Sequence, residues 1–554
     1  MKSDRKAARD ERLPDDYYVQ AFLTVLDVVA SSCATILTDQ ERDWSAAIVA
    51  LSDDAKRLYI RLMMRRGAHF RLERLNYPEI VDLRAARDEL VSNGLAGARP
   101  PVDPAALLAA HTLPELNRLL APPIGIGSRR VELIAALLAR DDPEDRQRLG
   151  AASSWVSPLG HAMFAVHRLC FFGNLRQDLS QFVLRELGTV RYAPYPIDGR
   201  SSLFRSRLQL ECHLRYYECE LLFDTCRQRD PSALETICSR LPPTVAHDAA
   251  LQRRVDRLRC TLARCFERLG QTGRAMALYA DSQRPPARER QIRLLDAQGL
   301  AEQATALALR MRAAPQGDAE REFAERRLRG AAKARPFRPT TTSLTLRSDG
   351  RRVERAARDF YARRGDCFWT ENRLVSGVCG LWAWDIVFAP VAGAFFNPFQ
   401  SGPADFRERD FRQRRAGAFE ARFQELRSAG GGERLRQRVL DDYSVRHGIA
   451  NPLVSWESLP RPVLVRALER IPAAHWAAMF ERLLEDPGEH TSGLPDLVFF
   501  PATGGYEFIE IKGPGDALQA HQRRWLRHFA AHGIPSRVVN VKWARSSERL
   551  VTRS

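Results

Sequence analysis

Lysine is nearly absent from this chain. It occurs only as Lys2, Lys6, Lys56, Lys333, Lys512 and Lys542, although Lys and Arg together number 85 of 554 residues. Almost every basic side chain is therefore a guanidinium, which cannot stand in for a compact ammonium at a site that needs one. The ten cysteines contain no Cys-x-x-Cys pair, which argues against a zinc knuckle or a disulfide framework. Cys212, Cys219 and Cys226, spaced by seven, read as small apolar residues along one helix face. No run of about 18 uncharged apolar residues occurs, so no membrane span is expected. The opening Met1-Lys2-Ser3-Asp4-Arg5-Lys6 lacks the apolar core of a signal peptide. Both absences point to an intracellular protein.

What is present in excess is positive charge, a net +17 with an isoelectric point near 9.8. That balance favours a polyanionic partner. An apolar content of 45% supports packed cores, and a chain of this length suggests two to four domains.

One lysine stands in a pattern. Gly493-Leu494-Pro495-Asp496 leads into the apolar run Leu497–Phe500, the turn-rich Pro501-Ala502-Thr503-Gly504-Gly505, and the alternating Tyr506–Lys512 followed by Gly513-Pro514. This reads as a β-hairpin. With the turn residues as the loop, Phe500 faces Tyr506 and Asp496 comes opposite Glu510, with Cβ atoms roughly 5 Å apart. Lys512 points to the same face because strand side chains alternate. Two oxygen donors at that separation suit a hard divalent cation such as Mg²⁺ or Mn²⁺. The plain alternative is a surface hairpin with an ion pair. A turn built on Gly504-Gly505 alone would pair Asp496 with Gly513 and break the cluster.

The N-terminal region reads as helical. Residues 16–31 place Tyr18, Phe22, Leu26 and Val29 on one face, and Lys56–Arg66 is amphipathic. The stretch Phe70–Pro78 mixes basic and aromatic residues, so Arg71, Arg74 and Tyr77 are candidate DNA contacts, with a solvated helix edge as the equal alternative. Residues 104–140 look like a SAP motif, with two short helices around Gly125-Ile126-Gly127-Ser128-Arg129-Arg130. Ser128 as N-cap, with Arg129 and Arg130, is a candidate phosphate site.

Residues 160–245 read as mostly helical, with an interruption at Arg191–Ile197. From 251 to 330 the chain becomes helix pairs resembling irregular tetratricopeptide units. Arg253, Arg254, Arg257, Arg288, Arg290 and Arg293 are candidates for holding a terminal phosphate, against the alternative of an ordinary charged helix face. Residues 331–350 have linker character. A helix near Glu371 follows, with Leu374, Val375, Val378, Leu381 and Trp382 as its stripe and Asp385 as a buried partner for an arginine. After the hairpin, Asp516 is expected to N-cap a helix whose apolar face is Leu518, Trp525, Leu526 and Phe529, with Gln522 on that face. Val538–Val541 is a final strand. The expected domains are 1–100 (helical, DNA-binding), 101–150 (SAP-like), 151–345 (tetratricopeptide-like) and 346–554 (the α/β core that holds the hairpin). The fold class is a mainly α body with a C-terminal α/β core.

The cluster Asp496…Glu510-x-Lys512 resembles the PD-(D/E)xK nuclease core. The fuller string Gly-Leu-Pro-Asp-Leu-Val…Glu-Ile-Lys-Gly-Pro-Gly-Asp is similar to its VRR-NUC branch. With the SAP-like hairpin, the helical repeats and Glu371-Asn-Arg-Leu-Val-Ser-Gly-Val-Cys-Gly-Leu-Trp-Ala-Trp-Asp385, nearly the whole chain resembles the Fanconi-associated nucleases, as a bacterial-type member. The resemblance implies metal ligation by Glu371, Asp496, Glu510 and the carbonyl of Ile511, with Lys512 as catalytic lysine and Gln522 in support. It implies one or two Mn²⁺ or Mg²⁺ ions, a 5′-flap endonuclease and 5′-to-3′ exonuclease activity, and a role in interstrand-crosslink repair. The partner is branched or flapped double-stranded DNA with a 5′ end. The location is cytoplasmic at the nucleoid in a bacterium, or nuclear in a eukaryote. The ubiquitin-binding zinc finger of the animal proteins has no counterpart, since no Cys/His cluster precedes the SAP-like region.

Other readings remain open on the same residues. The core also serves Holliday-junction resolvases and restriction-type endonucleases. A non-catalytic helical DNA-binding scaffold would need Asp496, Glu510 and Lys512 to be dispensable.

Overall fold

The structure, a computed structural model, describes residues 16–120, 129–186, 190–197, 203–226, 230–243, 248–329, 337–347, 350–544 and 552–553. It divides into two compact units. One comprises Met1–Thr189 with Ser202–Glu218, the other Val190–Ser201 with Cys219–Ser554.

The first unit packs helices around a small sheet. Helix Tyr17–Ser32 buries Tyr18, Phe22, Leu26 and Val29, the expected face. Asp39–Ala50 begins at a capping box of Thr38 and Glu41, and Asp53–Met64 at a Ser52 cap. Strands β1 (Phe70–Arg71), β2 (Ala96–Gly97) and β3 (Trp155–Pro158) form an antiparallel sheet in the order β1-β3-β2. The SAP-like segment contains helices Pro104–Ala109, Leu113–Leu119 and Arg130–Arg140. Leu107, Leu116, Leu133 and Leu137 close a core with Trp155.

In the second unit, Ala249–Arg268 with Thr272–Ala280, and Ala287–Ala297 with Ala301–Ala313, form successive helix pairs. Fully buried Ala275, Ala287, Ala304 and Ala308 let the helices approach closely. Helix Asp318–Arg329 follows, and Asp318 pairs with Arg482 at 2.8 Å while Glu322 pairs with Arg524 at 3.1 Å. The interruption at Arg191–Ile197 also belongs here, and Tyr195 Oη donates to the carbonyl of Asn397 at 2.7 Å.

The C-terminal core is a six-stranded mixed sheet of β4 (Thr341–Leu346), β5 (Gly365–Trp369), β6 (Leu497–Pro501), β7 (Glu507–Lys512), β8 (Ser536–Trp543) and β9 (Thr552–Arg553), in the order β5-β6-β7-β8-β4-β9. β5, β6 and β7 run antiparallel, β8 is parallel to both β7 and β4, and β9 is antiparallel to β4. The parallel step from β7 to β8 needs a crossover, which helix Ala520–Ala531 supplies. That helix packs Trp525 and Phe529 over one sheet face. Helix Val353–Tyr361 covers the other with Ala356, Ala357 and Tyr361.

Two features differ from the sequence expectation. β4 starts at Thr341, inside the presumed linker and ahead of the boundary at 346. Its buried Leu344 and Leu346 alternate with Ser343 and Thr345 as a strand requires. β5 and helix Val353–Tyr361, absent from the expected order of helix, hairpin, helix and strand, complete the sheet edge and its second layer.

Candidate active site

In the hairpin, Leu497 pairs with Ile509, Val498 with Phe508 and Phe499 with Glu507. One step further along the same register, Asp496 lies opposite Glu510, as the longer loop requires, and the Gly513 pairing is not formed. The loop closes through a Gly504 N–H to Pro501 O bond of 3.0 Å. Gly504 and Gly505 both take positive φ, 104° and 77°, which a side chain would strain.

Glu510 is 1% exposed. Its Oε1 accepts from Lys512 Nζ at 2.8 Å and from Gln522 Nε2 at 2.6 Å. Gln522 Oε1 in turn accepts from Lys512 Nζ at 3.0 Å and from the Gln519 N–H at 2.9 Å. Gln522 is thus the N3 residue of a capping box that opens Ala520–Ala531. The same amide starts the helix and holds the acid and the lysine. Asp516 does not cap this helix: it accepts from the Gly513 N–H at 3.1 Å and closes the preceding turn. Leu518 likewise falls before the helix begins.

Asp496 Oδ2 accepts from the Ile511 N–H at 2.8 Å. The Asp496 carbonyl accepts from Thr370 and Glu371 N–H groups at 2.9 and 3.0 Å. Asn372, at φ 46°, accepts the Leu494 N–H on its Oδ1 at 2.9 Å. These bonds hold Glu371 beside Asp496. Glu371 lies in the turn before helix Arg373–Trp382, with an exposed side chain, rather than at the head of a buried stripe. Asp385 pairs with Arg422 at 2.7 Å as expected, but its side chain is 56% exposed.

Burial raises the proton affinity of both Asp496 and Glu510. Glu371 raises both further, Asp496 adds to the effect on Glu510, and Lys512 opposes it at each. Glu354, in helix Val353–Tyr361, also raises that of Asp496. Glu510 Oε2 is buried with no hydrogen-bond partner, a costly state for a carboxylate oxygen. The donors are hard oxygens, so the site fits a divalent cation of the Mg²⁺ or Mn²⁺ type. Among the described residues no three His, Cys, Asp or Glu side chains form a metal cage by themselves.

Residues 432–543 match the VRR-NUC domain, and residues 16–96 match the FAN1 HTH domain. The Fanconi-associated nuclease 1 homolog of Pseudomonas aeruginosa is 36% identical over 544 residues, covering 95% of this chain and 96% of that one. The chain belongs to the Fanconi-associated nuclease family. The Arabidopsis thaliana homolog is 25% identical over 612 residues, covering 95% of this chain and 67% of its own. The crystal structure of paFAN1 bound to 5′-flap DNA with a 2-nt flap and a gap superposes with a TM-score of 0.87. That match is at 34% identity and covers 97% of this chain and 100% of that one. Membership makes this protein a DNA nuclease, a divalent-metal-dependent hydrolase of phosphodiester bonds. No helix among the described residues is long and apolar enough to cross a membrane.

The candidate nucleic-acid contacts divide. Arg71 is buried and donates to both oxygens of Glu115 at 2.8 and 2.9 Å, and to Ser153 Oγ at 2.8 Å, so its guanidinium is engaged within the fold. The Arg71 guanidinium holds the Glu115 carboxyl far below the usual range. Arg74 shares Glu115 at 2.8 Å but is 54% exposed. Tyr77 Oη accepts from Arg65 at 2.9 Å. Arg130 donates to the carbonyls of Ala109 and His111, at 2.7 and 3.1 Å, and so closes the end of helix Pro104–Ala109. Arg129 is exposed at the N-cap of Arg130–Arg140. Ser128 and its glycine turn lie outside the described residues.

Of Arg253, Arg254, Arg257 and Arg288, one lines the cavity described below. Arg253 pairs with Glu408, and burial together with Arg284, Arg254 and Arg257 lowers it to about 10. Arg288 pairs with Glu320 and donates to the Ala314 carbonyl at 2.9 Å. Only Arg257 opens into a cavity of about 560 Å³, together with Arg264, Arg268, Arg284 and Arg290 over Phe223 and Pro285. The spacing of Arg257, Arg264 and Arg268 along one helix face was readable in advance. Arg290, also among the sequence candidates, arrives from the next helix, and Arg284, which was not, from the turn before it.

Proposed function

We propose that this protein cuts DNA at 5′ flaps, as an endonuclease near the branch and as a 5′-to-3′ exonuclease, in the repair of interstrand crosslinks. The carrying observation is the hydrogen-bonded set of Glu510, Lys512 and Gln522 beside Asp496, with Glu510 Oε2 left open. The flap reading is supported by similarity to paFAN1, which is bound to DNA with 2-nt and 1-nt 5′ flaps. One or two Mn²⁺ or Mg²⁺ ions would be held by Glu371, Asp496, Glu510 and the Ile511 carbonyl, and would polarise a phosphoryl oxygen and lower the pKa of a bound water. Lys512, held by Glu510 and Gln522, orients that water or offsets the charge that develops on the phosphate. Ile511 N–H fixes Asp496, and Gln522 fixes Glu510, so neither carboxylate must reorganise when the substrate arrives.

Arg74, Tyr77 and Arg129 contact the duplex, in a helical DNA-binding region over residues 1–100 and a SAP-like one over 101–150. The 5′ end is taken by the cavity around Arg257. The arginines there supply planar donors for a phosphate, on helices of the tetratricopeptide-like region. In a bacterial cell the protein acts at the nucleoid.

Labelled 5′-flap, four-way-junction and plain duplex substrates test this reading. With Mn²⁺, the wild type is expected to cut the flap preferentially, and Asp496→Ala and Lys512→Ala to lose cleavage while still binding DNA. Preferred cutting of the junction, or of an intact specific sequence, would overturn the flap assignment. Full activity in both variants would overturn the catalytic one.

A further inference from the structure

We infer that the cavity along the open edge of β5 is a nucleobase subsite, which takes one unpaired base of the DNA strand being cut. The inference deepens the nuclease reading above and rests on it. β5 ends the sheet. Bonds from the Ala502 N–H to the Arg364 carbonyl, at 3.0 Å, and from the Thr370 N–H to the Asp496 carbonyl, at 2.9 Å, show which of its residues face β6. By the two-residue alternation of an antiparallel pair, the backbone groups of Gly365, Cys367 and Trp369 point the other way. Among the described residues no strand pairs with them.

A cavity of about 450 Å³ occupies that free side, since no residue of β6 lines it. Its size falls within the roughly 300–1,000 Å³ of small-ligand sites. Cys367, Phe368 and Trp369 line it between Ala362, at the end of helix Val353–Tyr361, and Pro460 and Val463, at the start of helix Arg461–Arg470. An aromatic surface beside a row of backbone donors and acceptors matches a nucleobase, which has a flat π-face and a polar edge in the same plane. Trp369 Nε1 has no hydrogen-bond partner, so the indole serves here through its ring and not its polar edge.

Two observations favour a base over an extended peptide on the same edge. The cavity adjoins the carboxylate cluster. Trp369 stands two residues before Glu371, at most about 7 Å of chain, and the Thr370 and Glu371 N–H groups both bond the Asp496 carbonyl. Exposed guanidinium groups also flank it. Arg373 donates to Ser455 Oγ at 2.9 Å, and Ser455 donates at 3.2 Å to Ser458, which lines the cavity. Arg355 lies 5.9 Å from the Trp369 ring centroid. Neither Arg355 nor Arg373 has a carboxylate partner among the described residues, so both are available to the phosphates on either side of the base.

The full-length protein, without metal, is titrated with 5′-flap DNA carrying 2-aminopurine at successive positions around the branch. The expected result is fluorescence quenched by stacking at one unpaired position. That quenching should be lost in Ala362→Leu and Pro460→Leu, which fill the cavity from opposite sides at exposed residues. With Mn²⁺, each variant should cut the flap with KM raised about tenfold and kcat changed less, at the melting temperature of the wild type. An abasic nucleotide at the quenched position should cost the wild type about as much and cost the variants nothing more. The inference is overturned if no position is quenched in the wild type, if both variants keep the quenching, or if the abasic and variant losses add. Wild-type cleavage by both variants would overturn it too, and would leave the strand edge to an extended peptide. A wild type that quenches one position but does not cut DNA with Mn²⁺ would bring down the nuclease reading and leave the base subsite standing.

Discussion

The hairpin site and the helical repeats treat charge in opposite ways. In the repeats, arginines are abundant and largely engaged: Arg274 with Glu235, Arg293 with Glu289 and Arg327 with Asp296 each pair at 2.7 Å. At the hairpin, no arginine pairs with Glu354, Glu371, Asp496 or Glu510 among the described residues. The chain's large positive charge therefore stops short of these carboxylates. A guanidinium there would satisfy them permanently and close the position a cation must take. Composition points to a polyanionic partner, but pairing decides which residues remain available for chemistry.

The largest expected effect comes from breaking that separation. Lys512→Arg brings a guanidinium into the carboxylate cluster while keeping the charge. Its fork cannot reproduce the Nζ contacts to Glu510 and Gln522 at 2.8 and 3.0 Å. Single-turnover cleavage of a flap substrate should fall by about 10²–10³-fold, with DNA binding retained. A variant within threefold of wild type would show that any cation at this position suffices.

A second test strikes a paired arginine. Arg71→Ala leaves Glu115 with only Arg74 and its own cap bonds in a mostly buried setting. Removing one partner of such a pair costs about 3 kcal/mol, to be read by urea unfolding of the first unit. Cleavage per folded molecule should hardly change. An intact fold with weakened DNA binding would return Arg71 to the contact surface.

The smallest effect is on stability at the active site itself, and it has the opposite sign. Burial and the charge of Asp496 raise the proton affinity of Glu510 in the folded state. Between its ordinary and raised values the native state binds more protons than the unfolded one. Metal-free wild type should therefore lose stability as pH rises over roughly 5–8. Glu510→Gln keeps the shape without the charge, so it should lack that part of the decline. In EDTA at the upper end of the range it should be more stable by about 1 kcal/mol. A Glu510→Gln protein that declines with pH as steeply as wild type in thermal melts would show that the cost of this charge is relieved elsewhere.

How far sequence reasoning reached follows the range of the interactions. Asp496 opposite Glu510 was readable because loop length sets hairpin register, and alternation then places Lys512 on the same face. The helix Tyr17–Ser32 and its buried face followed from periodicity. The strand β4 was obscured by neighbouring prolines and threonines, since its partners β8 and β9 lie some two hundred residues away in the chain. Asp516 had the residue type of a cap, yet Gln519 took the position because Gln522 was needed both to open the helix and to hold Glu510.

By itself the sequence determined the hairpin, its register and the kind of chemistry it carries, because these depend on residues within a few turns of one another. Tertiary structure alone decided that the Glu371 backbone is tied to Asp496, that Arg71 is buried against Glu115 while Arg130 bonds the end of a neighbouring helix, and that Arg257 meets Arg284 at a cavity. Those outcomes depend on which distant charges end up adjacent, and an arginine's partner is chosen by packing across the fold, not by its neighbours along the chain.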